Sequence, residues 1–454
     1  MMSIVDAARA VGGRVHGEPA HFTSVSTDSR SIAAGALFVA LRGEHFDGHA
    51  FVAAAKTRGA AAAMVNEVSS LDWTESGLPC LAVDDTRLAL GRLARHWRGR
   101  FAIPLISVAG SNGKTTVKEM IAAILRAHYG AEGTLATEGN LNNDIGLPLM
   151  LLRLRATHRA AVIEVGMNHP GETAYLAGIA CPTVALVNNA QREHQEFMKS
   201  VDDVAREHGA LFAALPAGGV AVINADDAHA DYWRGLVRPG QVRDFGIEQS
   251  AAVTGCYALS GFGSDIVLSA PEGSVSFTLQ LAGLHSVRNA VGAAAAATAA
   301  GASLDAVAQG LSAFTAVKGR LQVKPGRSGA VVIDDTYNAN PDSVRAAIDV
   351  LRKLPGRRIL ALGDMGEVGE QGEAFHREIG RCAAEAGIDE LLAIGDLAAH
   401  AFAEFGQGGT WYARIEDLQA DAAKKAVAGT TILVKGSRFM RMERVVDALG
   451  EEAH

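Results

Sequence analysis

A lysine and two threonines that follow closely spaced glycines at the end of an apolar run are residue types suited to holding a polyphosphate. Residues 108–116, V-A-G-S-N-G-K-T-T, supply them. Gly110 and Gly113 let main-chain N–H groups, with Ser111 and Asn112 between them, face an anion, and the start of the following helix favours its charge. Lys114 can reach the outer phosphates, Thr115 can offer its hydroxyl to magnesium, and Thr116 opens the helix. The common pattern has a glycine at position 108, where this chain has Val108, so the motif is the shorter G-x-x-G-K-T-T. The chemistry needs a strand before the loop and a helix after it. Apolar residues 103–109 read as the strand, and Val117, Met120, Ile121, Ile124 and Leu125 stand at helical spacing over 116–128.

Further polar clusters close the apolar runs that follow. Glu164 ends one as I-E-V-G-M-N-H-P-G-E, and His194 follows the next in N-N-A-Q-R-E-H-Q-E. Either alone reads as a cap or a surface group, but a carboxylate and an imidazole at one sheet edge could share with Thr115 a Mg²⁺ held by phosphates. Residues 137–148, T-E-G-N-L-N-N-D-I-G-L-P, read as a substrate loop through Asn140, Asn142 and Asn143, or as plain turn structure. Asn289 reads as a contact to a base or as a helix cap. Near the start, T-D-S-R carries Ser29 and Arg30, which suit a diphosphate or sugar, with turn chemistry as the alternative.

The chain of 454 residues suggests about three domains at roughly 150 residues each. The expected fold class is α/β, with a small N-terminal α/β domain over 1–83 and a mostly parallel central sheet over 84–317, with a small antiparallel insert beside it around 241–282. A second, smaller doubly wound domain is expected over 318–454. Strand ends of this last segment carry D-D-T-Y-N-A-N-P-D-S (334–343), L-G-D-M-G-E-V-G (362–369) and V-K-G-S-R (434–438). Asp335 suits ribose hydroxyls there and Lys435 a phosphate or carboxylate, while Arg320, just past a hinge at 318–319, is placed to meet the central nucleotide.

A net charge of −8 gives no electrostatic reason to expect nucleic acid or an anionic membrane as partner. Four scattered cysteines signal reduced thiols, and no apolar run is long enough to span a bilayer, so a cytoplasmic protein is expected; no sustained heptad or exposed apolar stripe marks an oligomer, and a monomer is the expectation. The alanine-rich stretch 290–300 reads as a packed helix.

Together these residues resemble the Mur ligase family, the ATP-dependent amide-bond-forming enzymes of peptidoglycan precursor synthesis. G-S-N-G-K-T-T, the I-E-V-G glutamate, the following histidine, H-x-x-x-N at 285–289 and the G-R of Gly319 and Arg320 carry the resemblance through all three segments. G-N-L-N-N-D-I-G-L-P, G-M-N-H-P-G-E, D-x-Y-N-A-N-P-D-S and T-D-S-R are similar to the member that adds D-alanyl-D-alanine to UDP-MurNAc-tripeptide through an acyl phosphate. The D-N-P-R motif of the sister enzyme is lacking.

The resemblance implies a P-loop ATPase centre, a Rossmann-like last domain, and ATP and Mg²⁺ as cofactors. Lys114 would neutralise phosphates, and Thr115, Glu164 and His194 would hold metal. Asn289, Arg320 and Asp335 would contact ATP across the domain gap, and Ser29 and Arg30 would hold the uridine diphosphate end. Asn338, Asn340, Lys435 and Ser437 would border the dipeptide. One departure stands out. Many relatives carry a carbamoylated lysine where this chain has His208, in V-A-R-E-H-G-A-L-F, so His208 is expected as a neutral ligand or a supporting donor, or else water and substrate hold the second metal. A folate-type glutamate ligase and a slow nucleotide-hydrolysing regulatory module are the competing readings; the first lacks support from Y-N-A-N-P, and the second leaves the polar strand ends of the last segment without a purpose.

Overall fold

The computed structural model describes residues 1–69, 73, 76–238 and 240–450. The N-terminal part begins with helix Ile4–Val11, whose first turn is closed by the Ser3 hydroxyl accepting from Asp6 N–H and whose Ile4, Ala7, Ala8 and Val11 are buried. A five-stranded sheet follows in the order Arg14–His16, Cys80–Val83, Ala62–Asn66, Ala36–Val39, Ser24–Ser26. Helix Thr86–Arg98, capped by Asp85, carries the chain into the central sheet, where Trp97 Nε1 donates to Leu154 O at 3.1 Å.

The central sheet has nine strands. Its order is Gly273–Leu279, Gly263–Ala270, Val253–Ser260, Val242–Gly246, Val220–Asn224, Val184–Val187, Leu105–Ala109, Ala160–Glu164, Thr134–Ala136. Seven neighbouring strands, from Thr134–Ala136 to Val253–Ser260, run parallel, and the near-continuous apolar sequences of Leu105–Ala109, Ala160–Glu164, Val184–Val187 and Val220–Asn224 follow from burial on both faces. Leu105 and Ala109 face a core shared with Leu90, Leu93, Leu176 and Val204, while Ile106 and Val108 face one built on Val117, Ile121 and Ile124. The segment expected as an insert beside the sheet is its continuation. Val242–Gly246 pairs in parallel with Val220–Asn224, and the three antiparallel strands from Val253 onward extend the same hydrogen-bonded ladder.

Helix Leu284–Ala299 lies under this sheet with Ala290 and residues 293–297, all alanine, fully buried. Small side chains let it sit close to the strands and to helix Lys114–Tyr129. The neighbouring helix Leu304–Ser312 also packs closely on helix Lys114–Tyr129, since a Cβ on Gly310 would lie 2.7 Å from Ile124 Cα.

The last sheet has six strands, ordered Gln322–Pro325, Val331–Asp335, Thr430–Lys435, Arg357–Gly363, Glu390–Ile394, Gly409–Tyr412; only the first pair is antiparallel. Pro341 begins helix Pro341–Leu351, and Asn340 and Ser343 form a reciprocal capping box before it. No described helix is long and apolar enough to cross a membrane.

Candidate active site

The carboxyl ends of the parallel strands in the second and third sheets face one cavity of about 1100 Å³. Its floor is the phosphate loop between strand Leu105–Ala109 and helix Lys114–Tyr129. Gly110 and Gly113 adopt φ of +129° and +82°. A Cβ at Gly113 would lie 2.8 Å from both Asn188 Nδ2 and Asn289 Oδ1, so glycine is demanded by conformation and by space. No side chain caps this helix, which leaves its first N–H groups free for an anion.

A web of amides holds the loop. Asn112 N donates to Asn189 Oδ1 (2.8 Å), Asn188 Nδ2 donates to Asn112 O (2.8 Å) and Asn289 Oδ1 (2.9 Å), and Gln191 N donates to the Ser111 hydroxyl (2.8 Å). Asn340 Nδ2 reaches across from the last sheet to Asn112 Oδ1 at 3.0 Å. Arg320, stacked 4.2 Å over the Tyr337 ring, donates to the Thr115 hydroxyl at 2.9 Å. Thr116 lines the same floor.

Glu164 ends its strand 2% exposed. Its Oε1 accepts from Asn142 Nδ2 at 2.7 Å, while Oε2 is buried without a hydrogen-bond partner. His194 sits in the loop after Val184–Val187 at a left-handed φ of +48°, with Nδ1 2.6 Å from Glu367 Oε2. The imidazole this close to it holds the Glu367 carboxyl below the usual carboxylate range.

Lys114 Nζ rests on the carbonyls of Gly110 and Ser111 and 3.0 Å from Glu193 Oε2. The other Glu193 oxygen is 2.8 Å from His208 Nε2. Burial would raise the Glu193 carboxyl, but Lys114 and His208 outweigh it and hold it at about 2. His208 is fully buried on helix Val201–Ala213 and stands behind Glu193, away from the cavity lining.

On the opposite wall, Asp335 Oδ2 accepts from Lys435 Nζ (2.6 Å), which also donates to Asn338 O (2.9 Å), and Asp335 Oδ1 accepts from Leu321 N (3.1 Å). His285 lines the cavity, and burial pushes its imidazole down to about 4, which keeps it neutral.

Sixteen of the residues singled out from sequence therefore share one space: Ser111, Asn112, Gly113, Lys114, Thr115, Thr116, Asn142, Asn143, Glu164, His194, Asn289, Arg320, Asp335, Asn338, Asn340 and Lys435. Others stand apart. Ser437 is buried behind the wall, accepting from Gly366 N at 2.7 Å and donating to Ala339 O, and so positions a loop. Asn140 is exposed outside the cavity. Asn143 lines it but spends Oδ1 on Gly146 N (2.8 Å), starting helix Gly146–Leu151 where sequence suggested loop as far as Pro148. Ser29 and Arg30 lie in the first sheet's loops, away from this cavity, and Arg30 is paired with Asp28, whose carboxyl the Arg30 hydrogen bond lowers to about 2.

Sequence reasoning passed over Glu193 and Arg192, although both stand in the quoted R-E-H-Q-E. The signal for Glu193 was His208, since a histidine on the apolar face of a helix needs a polar partner. Arg192 binds two carboxylates of the last sheet's helices, Asp342 (Nη2 2.6 Å) and Glu378 (Nη1 2.7 Å).

Comparison with known proteins places the whole chain. Three family descriptions match in order: Mur ligase family, catalytic domain over 21–98; Mur ligase middle domain over 108–297; and Mur ligase, glutamate ligase domain over 319–438. The UDP-N-acetylmuramoyl-tripeptide–D-alanyl-D-alanine ligase of Escherichia coli K12 is 41% identical, over 97% of this chain and 96% of its own. A crystal structure of MurF from Acinetobacter baumannii superposes with a TM-score of 0.90 at 33% identity, covering 98% of both chains. MurF ligase from Thermotoga maritima in complex with ADP gives 0.81 at 25% identity, over 94% of this chain and 96% of that one. With three Mur ligase descriptions matched in order and a relative 41% identical along nearly the whole length, the chain belongs to the Mur ligase family.

Proposed function

We propose that this protein joins D-alanyl-D-alanine to UDP-MurNAc-tripeptide at the expense of ATP, in the cytoplasmic stage of peptidoglycan precursor synthesis, acting as a monomer. The tripeptide carboxylate attacks the γ-phosphorus and ADP leaves. The dipeptide amine then attacks the acyl carbon of the resulting acyl phosphate, and phosphate departs from the tetrahedral intermediate. Such transfers depend on positioning and charge neutralisation more than on covalent help from the protein.

The observation that carries this reading is the single cavity joining an uncapped helix N-terminus, a buried glutamate and the polar strand ends of a second sheet. Lys114, released from the loop carbonyls, would meet the β- and γ-phosphates, and Asn289, Arg320 and Asp335 would hold the nucleotide from both walls. The residues fit magnesium. Glu164 Oε2 is a buried anionic oxygen without a donor, the Thr115 hydroxyl faces the same space, and His194 borders it. Mg²⁺ held there would neutralise phosphate charge. Asn142 fixes the Glu164 carboxylate, while Asn338, Asn340 and Lys435 border the space for the acceptor. We assign the uridine diphosphate end to residues 1–83 through Ser29 and Arg30, the nucleotide to 84–317, and closure over it to 318–454.

Phosphate release from ATP and magnesium, with tripeptides ending in diaminopimelate or lysine, tests the reading. Release should require both a UDP-MurNAc-tripeptide and D-alanyl-D-alanine, with single amino acids and folate failing to substitute. Release indifferent to the dipeptide would overturn the substrate assignment.

A further inference from the structure

Strand Leu105–Ala109, which leads into the phosphate loop, has Ala160–Glu164 on one side and Val184–Val187 on the other. Each neighbour brings a buried carboxylate to the cavity, Glu164 at its end and Glu193 in the loop beyond it. The Glu193 side chain is 7% exposed and bound on both sides, by Lys114 Nζ at 3.0 Å and by His208 Nε2 at 2.8 Å.

The two partners differ in what binding demands of them. His208, fully buried on helix Val201–Ala213, has Glu193 as the one side-chain partner of its ring among the described residues. Lys114 is the one cation of the phosphate loop, and a polyphosphate seated on that loop draws it off Glu193. A buried carboxylate stripped of its cation is costly. The cation that arrives with a nucleotide is divalent and prefers carboxylate, phosphate and water oxygens.

We propose that Glu193, braced by the positioning residue His208, is a second carboxylate for the divalent cation that accompanies the nucleotide, with Lys114 as its placeholder beforehand. This rests on the reading of the cavity as a metal–nucleotide site. It also gives the His208 substitution a physical sense, because the anionic oxygen at this place comes from a glutamate in the facing loop and the histidine fixes it. His194, whose Nε2 lies 3.8 Å from Glu193 Oε2, the oxygen that Lys114 holds, borders the group on the cavity side.

The test is ADP binding by calorimetry, without turnover, in chelator and in saturating Mg²⁺, for the wild type, Glu193→Gln and His208→Gln. Glu193→Gln should bind metal-free ADP more tightly than the wild type, because Lys114 is set free. It should also lose roughly tenfold or more of the gain that Mg²⁺ gives, the loss of one charged ligand. His208→Gln should move the same way by less. Equal factors with and without Mg²⁺, or no change in either, would overturn the proposal. If Glu193→Gln fails to fold, Glu193→Asp, which withdraws the carboxylate by one methylene, carries the same comparison. A wild type that binds no ADP in either condition would fell the nucleotide reading itself, whereas ADP binding without dipeptide-dependent turnover would leave this inference standing.

Discussion

Arg192 links the central and last sheets through two carboxylates, and replacing it tests whether the closed cavity is held by charge. Its Nε and Nη2 reach Asp342 (3.2 and 2.6 Å), Nη1 and Nη2 reach Glu378 (2.7 and 3.0 Å), and the guanidinium lies 5.2 Å over Phe375. The three charged side chains are 21, 22 and 28% exposed, between a solvated pair and a buried one. An exposed pair is worth at most about 1 kcal/mol, and removal of one partner from a buried pair costs about 3–5 kcal/mol. Arg192→Ala should therefore cost about 2 kcal/mol, roughly thirtyfold in the ratio of closed to open molecules.

Small-angle scattering of the nucleotide-free variant should give a larger radius of gyration than the wild type, and saturating nucleotide with both substrates should reduce the difference. Arg192→Met keeps an apolar stem over Phe375, so an expansion shared by both variants reports the lost charge. Raising the ionic strength toward 1 M, where the Debye length is about 3 Å, should move the wild type toward the variants. Unchanged dimensions and unchanged nucleotide affinity in both variants would refute the argument.

Glu164→Gln keeps an oxygen for Asn142 but removes the charge, so melting temperature should hold while turnover falls by about 10²–10³, as for loss of one preorganised electrostatic partner. Activity should not depend on bicarbonate, because His208 cannot be carbamoylated into a stable carboxylate; loss of turnover on bicarbonate removal, restored on addition, would contradict this. Gly113→Ala should abolish nucleotide binding measured by calorimetry, since the new methyl meets Asn188 and Asn289 in a backbone region that costs an L-residue about 1–2 kcal/mol. His376 is fully buried, accepts from Met365 N (2.9 Å) and donates to Gly372 O (2.7 Å), and burial lowers its pKa below the ordinary 6.5. The unfolded chain then binds the proton first, so stability falls as pH drops below about 6.5 and levels off once the folded imidazole also titrates. Denaturant titrations of wild type and His376→Gln between pH 7 and 5 should show the steeper loss in the wild type.

The phosphate loop was legible because its function imposes residue types on consecutive positions, and the parallel strands because burial on both faces leaves unbroken apolar runs. Glu164 and Asp335 could be read as site groups since each closes such a run. The bonds between them could not. Asn340 is at once a helix cap and a strut to Asn112, and nothing in P-D-S beside it marks the second role. Ser437 stood among the dipeptide-bordering residues that the resemblance implies, yet its chain turns inward and spends the hydroxyl on Gly366 and Ala339. Strand Thr134–Ala136 is three residues long, too short to show a period. Glu193 and His208 are fifteen positions apart and find each other only once their helix is packed.

The alanine helix Leu284–Ala299 has a bearing on how the chain is made. One face of the phosphate-loop strand is covered by this helix and its neighbours, and about 200 residues separate Leu105 from Ala299, which at roughly 5–20 residues per second take the ribosome ten seconds or more. The five-stranded N-terminal sheet, complete by Val83, can close during that time, while the central strands, with helix Lys114–Tyr129 already against them, wait with the rest of that apolar face uncovered. The exposure ends only when a run of alanines leaves the exit tunnel. The interval of greatest risk of aggregation is thus fixed by where that helix stands in the reading frame, and codon changes that slow synthesis between the two would lengthen it.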